Sequence, residues 1–543
     1  MSLEQLVSVR RISDGLHPVF VHAPFPKSPP FLCPQHCSLL RVADSDPPGS
    51  PQDTDPQEAD GASFSWQVVR SLLYSGLGKT VSKVLNVVAL LVVLKLISTA
   101  AFGVASIVLA IFSILRAVTE LGLGVAIVQA QDITREEIDS LFWLSLLVSG
   151  TLYVLLVAVA PLIGGFYGEP QLTPLLQVYG LSVVVFSFYF VPKNLLTKEM
   201  AFARIVLAEN VSLLASSVLM VVLAYYGFGA WAIILGELGN RVGRLGLFQF
   251  FRPHWPGWTF NWAKVWPRVS FGLYATGSRL LYNFYINADY LLVGRLFGPE
   301  AVGIYTMAYR IVSDPVRTLA STINDVAYPA FSKLQDELER LRTYFSTIAR
   351  ANLSLIGLVL VVIGVHIQEL LLVGGYEKYF DAVPLVYVFV LVGVFRSVAA
   401  LVPQLLNAVG QARLNFFYAI FSSVLMPVAF FVGGQFSLTG VAWAWVAAYP
   451  LVVAVLLYFS ARVLEVSLPA LLGAIVPGGI VLLPALGAGL GLQWLTDTYL
   501  SGMPIVALVL GVLGTLGVGL GLLALREREA LAVLRGKYSA ANA

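Results

Sequence analysis

The chain has 543 residues, of which 58% are hydrophobic and only 12% charged, and its mean hydropathy of +0.81 does not suit a surface exposed to water. With 34 Lys and Arg against 31 Asp and Glu, the net charge of +3 is too small to imply a nucleic-acid partner. Five His and two Cys leave little material for a metal centre, a thiol nucleophile or a disulfide framework, so the composition is that of a multi-pass membrane protein with no cofactor.

Residues 1–65 are rich in Pro, Asp, Ser and Gln and have no apolar period, which predicts a disordered cytoplasmic tail without a signal peptide. Cys33-Pro34-Gln35-His36-Cys37 resembles half of a zinc site, but no second ligand pair follows and no function is assigned to it. From Trp66 onward, apolar stretches of about 20 to 28 residues recur about fourteen times, each long enough to cross a hydrocarbon core of roughly 30 Å as a helix. They lack the alternation of an outer-membrane barrel, so the expected fold is an all-α integral membrane bundle of about fourteen transmembrane helices. The expected divisions are an N-lobe of helices 1–6 (66–251), an interfacial linker (252–266), a C-lobe of helices 7–12 (267–462), helices 13–14 (463–526) and a C-terminal tail (527–543).

Orientation follows from the short loops. One alternate set carries Arg135, Lys193, Lys198, Arg204, Arg241, Arg244, Arg252, Lys333, Arg340, Arg413 and Arg462, whereas the other offers Lys378 as its clear case. The positive-inside bias then places both termini in the cytoplasm, with Lys95 and Arg295 near outer helix ends as exceptions.

Those exceptions belong to an internal repeat at an offset of 200 residues. Leu73-Tyr74 recurs as Leu273-Tyr274, Lys79 as Arg279, Leu91 as Leu291, Lys95 as Arg295, Gly103 as Gly303 and Ser113 as Ser313. Each copy holds an even number of helices, so the lobes are pseudo-symmetric about an axis along the membrane normal, and helices 13 and 14 are additions.

Charges inside the spans mark where the bundle is wet. A charge at mid-membrane costs at least about 2.5 to 3.5 kcal/mol, so such groups face partners or a water-filled cavity. Arg310, Asp314, Arg317, Ser321, Asn324 and Tyr328 follow one another at intervals of three and four and share one helix face. Shorter stripes are Ser113, Arg116 and Glu120 in helix 2, and Arg279, Asn283 and Asn287 in helix 7. Together they predict a cationic cleft between the lobes, with Lys79, Lys83, Arg116, Arg279, Arg310 and Arg317 as candidates to bind an anionic cargo such as a diphosphate. The competing reading has these cations snorkel to the interface or pair internally, as Arg116 with Glu120 and Arg310 with Asp314. Pro192, Pro315, Pro403 and Pro427 fall inside spans as candidate bending points. Gly78-Lys79-Thr80 lacks the leading Gly and preceding strand of a phosphate-binding loop, and His366 has no second His at metal spacing.

The run Leu291-Leu292-Val293-Gly294-Arg295-Leu296-Phe297-Gly298-Pro299-Glu300-Ala301-Val302-Gly303-Ile304-Tyr305 resembles the signature after the seventh helix of the bacterial polysaccharide flippases, the Wzx proteins. These belong to the multidrug/oligosaccharidyl-lipid/polysaccharide exporter superfamily, whose lobed architecture is MATE-like. Glu120-Leu121-Gly122-Leu123-Gly124 with Val128-Gln129, and Gly440-Val441-Ala442-Trp443-Ala444, are similar to two further segments of that family. The resemblance spans about 66–462, in particular with colanic-acid and teichuronic-acid exporters, and departs from the family where Lys95-Leu96-Ile97-Ser98-Thr99-Ala100 replaces Arg-Leu-Leu-Gly-Pro-Glu.

The resemblance implies a monomeric transporter of the bacterial inner membrane, not an enzyme, that flips an undecaprenyl-diphosphate-linked oligosaccharide to the outer leaflet by alternating access. Its expected partners are that lipid-linked cargo, membrane lipids and a coupling ion, H+ or Na+, with Glu120, Asp289, Asp314 and Asp325 as candidate coupling carboxylates. A cation-coupled multidrug exporter and a peptidoglycan-precursor flippase are the alternatives within the superfamily. A membrane polymerase or ligase acting on the same sugars is a distant fourth.

Overall fold

A computed structural model of the protein describes residues 85–120, 123–129, 132–500 and 502–526. Among these residues every regular element is helical. The first lobe runs through α1 (Leu85–Leu96), α2 (Thr99–Glu120), α3 (Leu123–Gln129), α4 (Arg135–Tyr167), α5 (Leu172–Lys198), α6 (Phe202–Tyr225) and α7 (Ala230–Phe251). The second opens with α8 (Trp262–Lys333), which Gly298, at φ 80° and ψ 178°, breaks into two membrane-length arms, 262–297 and 299–333. It continues through α9 (Leu338–Gly374), a 3-10 turn (Glu377–Ala382), α10 (Val383–Ala399), α11 (Val402–Ala408), α12 (Ala412–Gly434) and α13 (Leu438–Val463). Finally, α14 (Leu468–Ile475), α15 (Pro477–Ile480) and α16 (Leu482–Tyr499) form one interrupted span, followed by α17 (Pro504–Arg526).

Ten of the described spans are long and apolar enough to cross a bilayer, and α1, α7 and the two arms of α8 complete a set compatible with fourteen. α7 and α8 are the charged ones, carrying Glu237 and Arg241 on α7 and Arg279, Asp289, Arg310, Asp314 and Arg317 on α8. A span that spends hydropathy on charge must turn that face away from lipid. Of the four prolines, Pro403 sits at the start of α11, where the tenth span is interrupted, whereas Pro192 and Pro427 lie inside continuous helices. Pro315 likewise leaves the second arm of α8 unbroken.

Small residues and hydroxyls hold the lobes together internally, as expected where lipid removes the hydrophobic drive between helices. Ser145 donates to Ser187 at 3.1 Å and Ser187 to Ser149 at 2.9 Å, linking α4 to α5. In the second lobe, Gly433 and Gly440 let α12 and α13 meet backbone to backbone. α16 and α17 dock on α9, where Gly511 lies against the ring of buried His366 and Gly519 against Leu358.

The connection between lobes is strapped to the first lobe. The Trp143 indole N–H donates to the Gly257 carbonyl (2.8 Å) and stacks on Trp258 at 4.9 Å, while the Asn261 N–H donates to Ser140 Oγ at 3.0 Å. His254 Nε2 stands 3.2 Å from Asp139 Oδ1, at an angle that gives neither atom a well-aligned hydrogen bond. Burial pushes the His254 imidazole below its ordinary value of 6.5, aided by Arg135 and Arg252 and opposed by Asp139. The folded protein therefore prefers neutral His254. Its contribution to stability is complete above pH 6.5 and is lost as pH falls below that value, where the unfolded chain takes up the proton first. The thermal midpoint of the solubilised protein should fall between pH 7.5 and 5.5 more steeply for wild type than for His254→Gln, and parallel curves would contradict this assignment.

Candidate cationic cleft between the lobes

The most extensive helix contact in the bundle is between α2 and α8, one from each lobe. Near Gly103 and Gly303 the two lobes share a single apolar core. Toward the opposite end, residues of α3, α4 and α5 gather into clusters of their own, including Leu141, Phe142 and Val191. There Arg116, Arg279, Arg317, Ser321, Asp325 and Tyr328 are exposed.

Where the shared core gives way, a cavity of about 200 Å³ is enclosed by α2 and both arms of α8. Its polar lining comprises Ser106, Ser113, Asn287, Thr306, Arg310 and Arg317. Ser113 Oγ and Thr306 Oγ1 are buried there with no hydrogen-bond partner among the described residues. The carbonyls of Arg279 and Asn283 accept from the amides of Asn283 and Asn287, at 2.8 and 2.7 Å, so these amides run back along their own helix.

The pairing of Arg310 with Asp314 that their spacing suggested does not form. Asp314 accepts from Arg317 Nη2 at 2.9 Å, an i, i+3 contact, and does not take Arg310. Among the described residues no carboxylate pairs with Arg310, whose guanidinium lies 5.8 Å from the ring centre of Phe102 across the lobe boundary. Lys79 and Lys83 lie outside the described residues, as does the side chain of Glu120. Arg116 and Arg279 are exposed on the first lobe and on the first arm of α8, and Asp325 is exposed farther along the stripe from Asp314.

Asp289 stands apart from the cavity, fully buried in the second lobe. Its Oδ2 accepts from the Tyr305 hydroxyl at 2.9 Å and the Trp445 indole at 3.1 Å, and its Oδ1 from the Tyr290 N–H at 2.9 Å. Three donors on one carboxylate tie both arms of α8 to α13.

Two further arginines escaped the spacing argument. Arg396, on α10, donates to the Tyr309 hydroxyl at 2.7 Å and Ser313 Oγ at 2.9 Å, and lies 4.3 Å from the Trp445 ring centre. A lone cation in an apolar run makes no stripe, and its cost of insertion was the only signal of it. Arg241, counted with the loop cations, lies within α7 and donates to the Tyr189 hydroxyl at 3.1 Å. Neither forms a salt bridge with a carboxylate among the described residues.

A two-lobed helical membrane bundle around a cationic cleft is the class that this fold and site define. Residues 92–374, just over half of the chain, match the model of the polysaccharide biosynthesis protein family, and the chain belongs to that family. It is 29% identical over 377 residues to the lipopolysaccharide biosynthesis protein WzxC of Escherichia coli (strain K12), covering 68% of this chain and 74% of that protein. It is 26% identical over 378 residues to the teichuronic acid biosynthesis protein TuaB of Bacillus subtilis (strain 168), covering 66% and 78%. In fold it resembles the lipid II flippase MurJ in an inward closed conformation, with a TM-score of 0.63 at 14% identity over 84% of this chain and all of that one. An inward-facing MATE-family multidrug transporter gives a TM-score of 0.55 at 16% identity over 70% of this chain and 95% of that one.

Removing Asp289 strands buried donors, so Asp289→Ala should destabilise the protein by about 3 kcal/mol, as a lower thermal midpoint at every pH and salt concentration. Asp289→Asn, which keeps an acceptor oxygen, should cost less. A midpoint unchanged by Asp289→Ala would remove the architectural role.

Proposed function

We propose that this membrane protein flips a polyprenyl-diphosphate-linked oligosaccharide from the cytoplasmic to the outer leaflet of the bacterial inner membrane. The observation that carries the reading is Arg310, a guanidinium with no carboxylate partner among the described residues, lining a cavity where two buried hydroxyls also lack partners among them. A cation in a site of low dielectric draws an anion strongly, and guanidinium with hydroxyl donors suits phosphate oxygens. A volume of about 200 Å³ takes a phosphoryl-sized group. The sugars then occupy the wider, exposed part of the cleft and the lipid tail stays among the bilayer chains. An exporter of organic cations would instead need its negative charge uncompensated, whereas here Asp314 is paired with Arg317.

The roles divide accordingly. Arg310 and Arg317 hold the diphosphate, and Arg116 and Arg279 lie on its approach. Asp314, bound to the cavity-lining Arg317, is the carboxylate best placed to couple movement to an ion, because freeing it from Arg317 links its charge to occupancy of the site. Relatives named for lipopolysaccharide and teichuronic acid biosynthesis support a polymer precursor as cargo. The basic loops at Arg135, Lys198 and Arg252 support a cytoplasmic location for both termini, and in this reading the protein acts as a monomer without covalent chemistry.

In a strain lacking its own exporter and carrying the matching sugar-assembly genes, wild type should restore surface polymer. Arg310→Ala and Arg317→Ala should each lower surface polymer at least about tenfold, the effect of about 1.4 kcal/mol of lost cargo binding, while protein in the membrane is unchanged. Arg310→Lys should recover part of the activity. Normal polymer from both alanine variants would defeat the assignment.

A further inference from the structure

The end of the bundle where the lobes meet carries a contact pattern that appears twice. Gly103 and Gly303 are the same position of the two repeats, and each packs on the partner lobe's copy of one residue. A Cβ on Gly103 would run into the carbonyl of Pro299, and a Cβ on Gly303 into the carbonyl of Thr99. Thr99 and Pro299 are themselves equivalents. The crossing is backbone on backbone, and a side chain larger than hydrogen at either position has no room.

The same exchange continues along the helices. The Tyr376 hydroxyl, from the second lobe, donates to the Leu91 carbonyl at 3.0 Å, and the Tyr167 hydroxyl, from the first, donates to the Leu291 carbonyl at 3.2 Å. The Lys95 ammonium lies 5.3 Å from the ring centre of Tyr376, and the Arg295 guanidinium 5.0 Å from that of Phe166. Positions 91, 95, 99 and 103 in one repeat, and 291, 295, 299 and 303 in the other, thus present every fourth residue to the opposite lobe. Lys378 adds an unrepeated clasp by donating to the carbonyls of Lys95 and Ile97 at the end of α1. The two cations that break the orientation pattern therefore have a place, on aromatic rings across the lobe boundary.

We infer that these residues form a pseudo-symmetric outer gate, closed in this structure, which must part for cargo to leave toward the outer face. This rests on the transport reading above and goes beyond it by naming the parts that separate. Their chemistry suits repeated opening. Hydroxyl-to-carbonyl bonds and cations on rings are individually weak and readily exchanged for water at the membrane surface. Among the described residues no Lys or Arg of this set is paired with a carboxylate, so parting the lobes there strands no buried counter-charge. The glycine crossing supplies close shape matching with no side chain to reorder.

The test uses the full-length chain in cells, with Cys33 and Cys37 changed to Ser and a single reporter, Leu109→Cys, in the cavity wall. A membrane-impermeant maleimide added outside should label the reporter slowly. Adding Gly103→Leu or Gly303→Leu should raise the rate on the order of tenfold, as a decade shift from closed to open would. Tyr167→Phe combined with Tyr376→Phe should raise it by a smaller factor. Without the reporter, Thr99→Cys with Glu300→Cys, side chains that meet at 3.4 Å, should be linked by a short bis-methanethiosulfonate and stop polymer export until dithiothreitol is added. Unchanged labelling in every variant that reaches the membrane, or full export by the linked protein, would overturn the gate. Should the glycine variants fail to reach the membrane, the tyrosine pair and the cross-link decide. Labelling that responds as expected in a strain exporting no polymer upholds the gate and refutes the cargo.

Discussion

A helix in a bilayer cannot leave a charge facing hydrocarbon, and the internal organisation of this protein follows from that constraint. The charged spans, α7 and both arms of α8, hold several of their cations by means other than a salt bridge among the described residues, Arg241 on a tyrosine hydroxyl and Arg310 over an aromatic ring. Arg396 and Arg241 are held by tyrosine hydroxyls and, for Arg396, aromatic rings, which satisfy guanidinium hydrogen bonds without a direct salt bridge among the described residues. Arg310 has the Phe102 ring and open space. A bundle evolved only for stability would have matched each cation with a carboxylate.

The two kinds of buried acid show the contrast. Asp289 is saturated by donors from Tyr305, Trp445 and Tyr290 and binds three helices into one body. Asp314 answers to a single neighbour on its own helix, half-exposed at the cleft. Burial and partner number thus separate an architectural carboxylate from an exchangeable one, although both stand in charged stripes of the same two-armed element.

Much of this organisation was legible in the amino-acid sequence because lipid enforces simple rules. Span length and the absence of strand alternation led to the helical bundle, and the pairing of Lys95 with Arg295 and Gly103 with Gly303 revealed the duplication. The stripe of Arg310, Asp314 and Arg317 led to the cleft. Side-chain pairing was less legible, since i, i+3 and i, i+4 partners compete on nearly equal terms and Asp314 chose Arg317. Lone cations such as Arg396 generate no period to detect. Self-similarity reveals that two copies exist but not that they touch, and so the close approach of Gly103 to the second lobe could not be read from the repeat alone.

The strap between the lobes has a mechanical consequence. Because Gly257 and Asn261 are anchored to Trp143 and Ser140, the segment from Phe251 to Asn261 moves as part of the first six helices and behaves as a bracket, with no slack to let out. Val265, in the first turn of α8, is buried in the same first-lobe core, so any swing of one half against the other is taken up beyond it, farther along the first arm of α8. The fulcrum lies inside a membrane rod, close to the charged face that lines the passage, so tilting the lobes and reshaping the cleft become one motion.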